Sequence, residues 1–172
     1  MTPNKIEGDW EFQNGYYQIS WPGYPVTTAW TQENGIRYDG ADTIRYYQYT
    51  YSFNKNGTYE IVYERDLPDT VNLHYIDITK GNWQIMGADK IHGFKDGTRI
   101  LLTNTRGIRI NKHMITGQSD TTDDNVFSSY RMWHVEKITN KEMVWKIDHE
   151  RVETTAPQDS HHRTIRMEFE KH

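Results

Sequence analysis

Hydrophobic and polar residues alternate with a period of two along most of the chain, and no segment shows the 3.6-residue period of an amphipathic helix. The clearest alternation runs from Arg45 to Phe53, where aromatic residues at every second position are separated by Gln, Thr and Ser. A polar turn ending at Gly57 follows, and alternation resumes from Thr58 to Glu64. Because glycine readily adopts the positive φ that tight hairpin turns need, this pattern predicts a β-hairpin.

The same alternation returns downstream. A turn ending at Gly97 leads into an apolar segment at 99–103, and residues 130–138 are followed by a strand around Trp145. The last strand, with Ile165, Met167 and Phe169 on one face, comes after a loop that contains Pro157. No linker or low-complexity tract interrupts the series, so residues 1–172 are predicted to form one domain of about eight to ten strands.

One polar and one apolar face per strand can build either a sandwich or a barrel. Short turns between consecutive strands favour a meander, and closure into a barrel removes the exposed edges of so many aromatic strands. We therefore predict an all-β fold, a single up-and-down antiparallel barrel. Two stretches, 21–43 and 116–128, break the alternation and are predicted to be irregular.

The amino-acid composition indicates that aromatic residues must supply much of the buried core. Hydrophobic residues make up only 35% of the 172 residues, but 12 Tyr, 6 Trp and 5 Phe supply rings that bury apolar area and carry a polar tip. The net charge of -4 does not indicate binding to nucleic acid or to an anionic membrane. The absence of cysteine excludes disulfides, thiolate nucleophiles and Cys-ligated zinc.

The predicted interior is aromatic with a basic rim. The tyrosines on one face need partners for their hydroxyls, which can be each other, water or a ligand. If the last two strands pair through the Pro157 loop, four basic residues that continue their inward faces meet at one mouth of the barrel. The predicted ligand-binding residues are Tyr47, Tyr49, Tyr51, Tyr59, Tyr63, Trp83, Trp145, His149, Arg151, His161 and Arg163.

These residues favour non-catalytic binding of a small amphiphilic or aromatic molecule, anionic if the basic rim takes part. Two alternatives stay open: a structural protein whose barrel is filled by its own side chains, and a barrel hydrolase or isomerase that uses His134, His149 or a carboxylate. The aromatic segment at 21–43, with Trp21 and Trp30, is expected to plug one end, cover an entrance or stack on a sugar.

Cofactors, metals and catalytic residues are not predicted. The chain has eight histidines, but the neighbours His161 and His162 would point to opposite faces of a strand, and no H-x-H or H-x-x-x-H spacing occurs. The sequence also has no G-x-S-x-G nucleophile motif and no glycine-rich phosphate loop.

Several short motifs, in order along the chain, resemble lipocalin-like (calycin-type) β-barrel domains of bacterial cell-envelope proteins. Gly8-Asp9-Trp10 resembles the G-x-W signature, residues 53–59 resemble an F-x-x-x-G-T-Y hairpin, residues 81–85 a G-x-W-x-I strand, and residues 133–145 a late hairpin of the family. The resemblance implies a barrel fold and a location in the periplasm or cell envelope, reached with a leader peptide that was removed. If Met1 is the native start, a cytoplasmic protein is expected instead.

Overall fold

The computed structural model describes residues 5–39, 42–66, 73–87, 98–124, 130–151 and 160–172, and its account of side chains leaves out residues 42, 124, 130 and 149–151. The described residues form eleven strands and no helix. The strands are β1 (Gly8–Ser20), β2 (Thr27–Glu33), β3 (Ile36–Asp39), β4 (Asp42–Phe53), β5 (Thr58–Asp66), β6 (Leu73–Met86), β7 (Thr98–His113), β8 (Ser119–Asp124), β9 (Tyr130–Ile138), β10 (Glu142–Arg151) and β11 (His161–Lys171).

The strands close into an antiparallel barrel. Strands β1 to β7 are hydrogen-bonded neighbours in chain order, β7 continues to β9, and β10 and β11 lead back to β1. Ten strands make this ring within the described residues, and β8 is attached to β7 as an eleventh. The predicted all-β barrel of about eight to ten strands is confirmed. The described part of the chain holds no helix of the length and hydrophobicity needed to cross a bilayer.

The two ends of the barrel differ in width. The start of β1, residues 8–11, pairs directly with the end of β4, residues 50–53. The later part of β1 pairs with β2 instead, so β2 and β3 are inserted between β1 and β4 at one end only. Because barrel diameter grows with strand number, the end with the direct β1–β4 contact is the narrow end and the opposite end is the wide end.

The prediction of irregular structure at 21–43 and 116–128 holds for residues 21–26 and 116–118 and is wrong where the structure forms strands; residues 40, 41 and 125–128 lie outside the described residues. The first stretch contains β2 and β3, and the second contains β8. Strand β2 was hidden by the prolines and glycine that precede it, which form a separate turn at residues 21–24. Strand β8 has no alternation because its side chains from 119 to 123 are all exposed, so neither of its faces has to be apolar.

Aromatic rings fill the narrow end. Trp145 has no exposed surface, and its ring lies 5.3 Å from that of Tyr51, 5.6 Å from Trp133 and 4.8 Å from Phe169 between centroids. The inward face inferred from alternation is thus correct for these strands. The buried core consists of Ile6, Trp10, Phe12, Tyr51, Phe53, Tyr59, Trp83, Ile100, Leu102, Trp133, Val135, Met143, Trp145, Met167 and Phe169, with Tyr49, Ile61, Ile147 and Ile165 half-buried against it.

Gly81 lets one of these rings lie against bare backbone. A Cβ at this position would stand 2.1 Å from the carbonyl oxygen of Thr103 and 2.7 Å from the ring of Tyr59. Both distances are far below van der Waals contact, so the glycine is required by space rather than by its φ angle. With the ring seated here, the Tyr59 hydroxyl donates a hydrogen bond to Asn104.

Gly81→Ala is expected to destabilise the barrel by about 1–3 kcal/mol, the usual effect of overpacking, because a strand carbonyl and a core ring must both move. Urea unfolding monitored by tryptophan fluorescence measures the change. Gly87→Ala is the matched control, since no described atom lies within 4 Å of a Cβ at that position, directly after β6. Equal stability of the two variants would contradict the close approach at Gly81.

A bulge in β4 overturns the inward placement of Tyr47. Tyr46 pairs with Arg65 and Gln48 pairs with Glu64, so Tyr47 has no partner on β5. One extra residue inverts the alternation on its far side. Tyr46 therefore points inward with Tyr49, while Tyr47 lies on the outer wall with 56% of its surface exposed.

On the outer wall Tyr47 joins a hydrogen-bonded chain. Its hydroxyl donates to Asp66 at 2.5 Å, and the His74 ring contacts Asp66 through Nδ1 and Glu64 through Nε2, both at 2.7 Å. The hydrogen bond to Asp66 raises the pKa of His74; burial opposes this rise, and Glu64 adds to it. Hydrogen bonds from Tyr47 and His74 hold the pKa of Asp66 below its usual value.

The raised pKa of His74 predicts stability that depends on pH in one direction. The imidazolium donates to both carboxylates, so its contribution is fully present below the unfolded pKa of about 6.5 and is lost as pH rises through the folded pKa. The lowered pKa of Asp66 means that its own contribution is lost only in acid. Urea unfolding of the wild type should therefore show a loss of stability as the pH rises above about 6.5, and His74→Gln should lack this loss. Parallel pH profiles for the two proteins would refute the assignment.

Candidate functional site

The interior changes from apolar to polar towards the wide end. On the narrow-end side of this change, inward positions carry the aromatic core. On the wide-end side, three neighbouring strands place polar residues opposite one another: Tyr63 on β5, Asp77 on β6 and Arg109 on β7. The change coincides with a bulge at Thr105, which shifts the β6–β7 register next to Gly81. The polar interior of the wide end is the candidate functional site.

A cluster of tyrosines forms the boundary with the core. The rings of Tyr46, Tyr49 and Tyr63 have centroids 5.3 to 6.2 Å apart, and Tyr49 stacks on Tyr51 at 5.9 Å. Burial raises the pKa of Tyr49 and, more strongly, that of Tyr51. These phenols therefore stay neutral at physiological pH and act as hydrogen-bonding groups on apolar rings.

Three arginines surround the tyrosines. The guanidinium of Arg65 lies 5.7 Å from the ring centroid of Tyr63, and that of Arg37 lies 4.9 Å from the ring of Trp30. Arg131 occupies the inward-facing register of β9, opposite Leu102. Burial raises the pKa of Tyr59 to about 12, and the positive charge of Arg131 opposes that rise. We call Arg37, Arg65 and Arg131, with Tyr46, Tyr49 and Tyr63, the arginine–tyrosine chamber.

Several polar atoms of this region are buried without a hydrogen-bond partner among the described residues. They include Nε of Arg37, Nε of Arg65 and both amide atoms of Gln32, a side chain with only 3% of its surface exposed. Arg37 forms an ion pair with Asp39 through Nη2 at 2.7 Å, whereas Arg65 and Arg131 form no ion pair with a described residue. Arg37 and Arg65 are both half-buried, and a buried donor without an acceptor costs free energy unless water or another group satisfies it.

A carboxylate lies at the edge of the chamber. Asp77 accepts a hydrogen bond from Arg109 Nε at 2.8 Å, and this contact raises the pKa of Arg109. Burial is the main cause of a raised pKa of the Tyr63 phenol, and the neighbouring Asp77 raises this pKa further. A pocket of about 170 Å³ lies beside the pair, lined by Tyr63, Asp77, Ile78, Thr79, Gly107, Ile108 and Arg109. The Asp77–Arg109 pair makes one part of this lining charged, while Ile78 and Ile108 make another part apolar.

Larger pockets lie on the outer wall. One of about 390 Å³ runs along β10 and β11, beside Lys137, Arg166 and Glu168. Another of about 430 Å³ lies beside Tyr16 and Glu33, near the start of the β1–β2 pairing. Acidic and basic side chains line both in mixture, and Arg166 is already paired with Glu136 and Glu168. These grooves therefore offer no concentrated charge of either sign.

The structure distributes the predicted site residues over three places. Tyr49 and Tyr63 line the arginine–tyrosine chamber. Four others, Tyr51, Tyr59, Trp83 and Trp145, are buried in the aromatic core. Tyr47 lies outside the barrel, as described above. The prediction that phenols need partners holds for Tyr59, whose hydroxyl bonds to Asn104.

The pairing that motivated the basic rim is confirmed, whereas the rim itself stays a prediction. Strands β10 and β11 are antiparallel, with residue 149 opposite Arg163 and residue 151 opposite His161. His161 is buried and its ring lies 6.3 Å from that of Trp21, while Arg163 is exposed. The side chains of His149 and Arg151, and the Pro157 loop, lie outside the described residues.

Sequence reasoning missed Arg37 and Arg131. Arg37 lies in a stretch predicted to be irregular, so no inward parity could be assigned to it. Arg131 precedes the Trp133 and Val135 face by two residues, which was a usable signal, because the same alternation that buries Trp133 turns Arg131 inward. Arg65 lies two residues after Tyr63 on β5, so the alternation that turns Tyr63 inward also turns Arg65 inward.

Metal and acid–base chemistry have few candidates in the described part of the chain. No group of three His, Asp or Glu side chains there is arranged to hold a metal ion. His134 lies on the opposite face of β9 from the buried Trp133 and Val135. The one histidine held between two carboxylates at 2.7 Å among the described residues, His74, is on the outer wall and does not face the chamber.

Comparison with known proteins adds little beyond the architecture. No protein-family model and no curated protein matches the chain. Among solved structures, the chain is similar to the attachment invasion locus protein Ail of Yersinia pestis, with 13% identity, coverage of 96% of this chain and 97% of that one, and a TM-score of 0.30. It is also similar to a polyisoprenoid-binding domain from Saccharophagus degradans implicated in plant cell wall breakdown, with 8% identity, 95% and 98% coverage and a TM-score of 0.30. The chain is a β-barrel, and these distant likenesses assign it no activity.

Proposed function

We propose that the wide end of the barrel binds a small anionic amphiphile or aromatic anion without catalysis, with the anionic group held by the arginine–tyrosine chamber. The observation that carries this proposal is the pair of buried, unpartnered Nε donors on Arg37 and Arg65 beside neutral tyrosines. A carboxylate, sulfonate or phosphate would satisfy such donors with charge-assisted hydrogen bonds.

Charge in the chamber favours an anion over a neutral ligand. Asp77 is bound to Arg109, and Asp39 is bound to Arg37, so these carboxylates are already neutralised. The charges of Arg65 and Arg131 have no counterpart among the described residues. The flat faces of the tyrosine rings supply the apolar contact, and their neutral hydroxyls donate to the same anion.

The filled core sets the depth of the site. Rings occupy the barrel below Tyr49, so a ligand enters at the wide end and stops at the tyrosines. The described rings packed below this level favour a ligand with a short or aromatic apolar part. The lipocalin-like character of the barrel and its location in the cell envelope belong to the same proposal, supported by Gly8-Asp9-Trp10 and the other motifs in family order.

A structural role with a self-filled barrel is the second candidate, and the packed narrow end favours it. Under that hypothesis the unpartnered arginine donors meet only water. The two functions differ in one measurable respect: a binding chamber discriminates between an anion and a neutral molecule of the same shape, whereas a filled barrel binds neither.

Fluorescence titration with anilinonaphthalene sulfonate and with uncharged phenylnaphthylamine, which has the same rings, tests the proposal. We expect the sulfonate to bind at least about tenfold more tightly. Arg65→Ala and Arg131→Ala should each weaken sulfonate binding by about tenfold to a hundredfold, the effect of losing one charge-assisted hydrogen bond, and leave the neutral probe unaffected.

Arg106→Ala is the control for these variants, because Arg106 is paired with Asp123 on the outer wall and lies outside the chamber. Near-ultraviolet circular dichroism confirms that each variant keeps its packed core, and Arg65→Lys retains the charge if the alanine variant does not fold. Absence of binding, equal affinity for both probes, or unchanged affinity in the Arg65 and Arg131 variants would reject the anion site and support the structural role.

A further inference from the structure

Two loop tips at the wide end carry exposed apolar side chains. Tyr24 and Val26, between β1 and β2, have 73% and 61% of their surface exposed. Met114 and Ile115, between β7 and β8, have 57% and 77% exposed. Strands β1 and β7 both run from the narrow to the wide end, so both tips surround the mouth of the barrel, on different sides of it.

The backbone presents these side chains in fixed turns. At the first tip, the Tyr24 amide donates to the Trp21 carbonyl at 3.1 Å, with Pro22 and a positive φ of 78° at Gly23 in the two central positions. This is the sequence and hydrogen bond of a type II turn. Trp21 in turn packs against the buried His161 ring, which ties the tip to the mouth.

The second tip is equally defined. The Gly117 amide donates to the His113 carbonyl at 2.9 Å, and the His113 amide donates to the Gln118 carbonyl at 2.8 Å. Gly117 has a φ of 71°, which lets the chain reverse directly after the apolar pair. Met114 and Ile115 thus project beyond Lys112 and Ser119, the pair of residues that joins β7 to β8 nearest the tip.

Both tips are free of charge. Residues 21–32 contain no acidic, basic or histidine side chain, and residues 114–119 contain none either. Hydrophobic loop tips are normally avoided in water, and charged residues are the usual means of protecting them. An uncharged tip with Trp and Tyr next to aliphatic side chains matches the composition of segments that sit at the boundary between lipid head groups and acyl chains.

We propose that the wide end docks onto the surface of a lipid bilayer through these two tips, with the mouth of the barrel facing the lipid. The partner is lipid rather than protein because the apolar groups stand on separate convex tips around an opening, not in one continuous patch with a shape to fit. With a net charge of -4 the chain has no general attraction to anionic lipid, so insertion of apolar side chains drives the docking. This surface goes beyond the proposed ligand binding and does not depend on it.

Sedimentation of the full chain with vesicles tests the docking. We expect binding to phosphatidylcholine vesicles, and no requirement for phosphatidylglycerol when it is mixed in. The double variants Tyr24→Ser with Val26→Ser, and Met114→Ser with Ile115→Ser, should each lower the partition coefficient by about tenfold or more, since each removes the apolar area of two side chains.

Tyr47→Ser is the matched control, because it removes a side chain that is 56% exposed on the wall of the barrel rather than at a tip, and it should bind vesicles like the wild type. Far-ultraviolet circular dichroism checks that all variants fold. The proposal is overturned if the wild type stays in solution with both vesicles, or if tip variants bind as the wild type does. It is also overturned if light scattering shows a dimer that the tip variants dissociate, which would assign the tips to an interface between copies.

Discussion

The barrel depends on the contact of Trp145 with the rings around it. This side chain has no exposed surface and lies within 6 Å, centroid to centroid, of Tyr51, Phe53, Trp133 and Phe169. Those rings come from strands on different sides of the narrow end, so one indole holds opposite walls together. The chain is poor in aliphatic residues, and the offset and edge-on packing of large rings provides the burial that leucine and isoleucine supply elsewhere.

Because aromatic rings fill the narrow end, the interior of the wide end can carry polar and charged side chains. Along β6 and β7, the inward side chains change from Trp83 and Leu102 to Asp77 and Arg109 on passing the Thr105 bulge. The outward positions above the bulge are aliphatic, with Ile78 opposite Ile108. A single inserted residue thus separates a packed lower half from an upper half whose interior is able to hold charge.

Alternation predicted the hairpins, the inward faces and the barrel because a period of two survives wherever one face is buried. The prediction failed at Tyr47, where the bulge adds one residue that no local pattern marks, and at β8, where neither face is buried. The chamber was only partly predictable: the inward positions of Tyr49 and Tyr63 followed from the alternation. The roles of Arg37 and Arg131 depend on β2 and β3 entering the ring and on which part of β9 faces inward, both of which are set by tertiary pairing.

Strand β1 pairs with β2, β4 and β11, and its residue Trp10 lies opposite Lys171. The first strand of the barrel therefore acquires one of its neighbours only from β11, the described strand that lies furthest from it in the sequence. The ring closes only when β11 pairs with β1, and the high sequence separation of this contact predicts slow folding relative to a barrel closed by adjacent hairpins. Until β11 pairs with β1, the aromatic face of β1 lacks this cover, and apolar surface that is exposed during folding in this way is prone to aggregate.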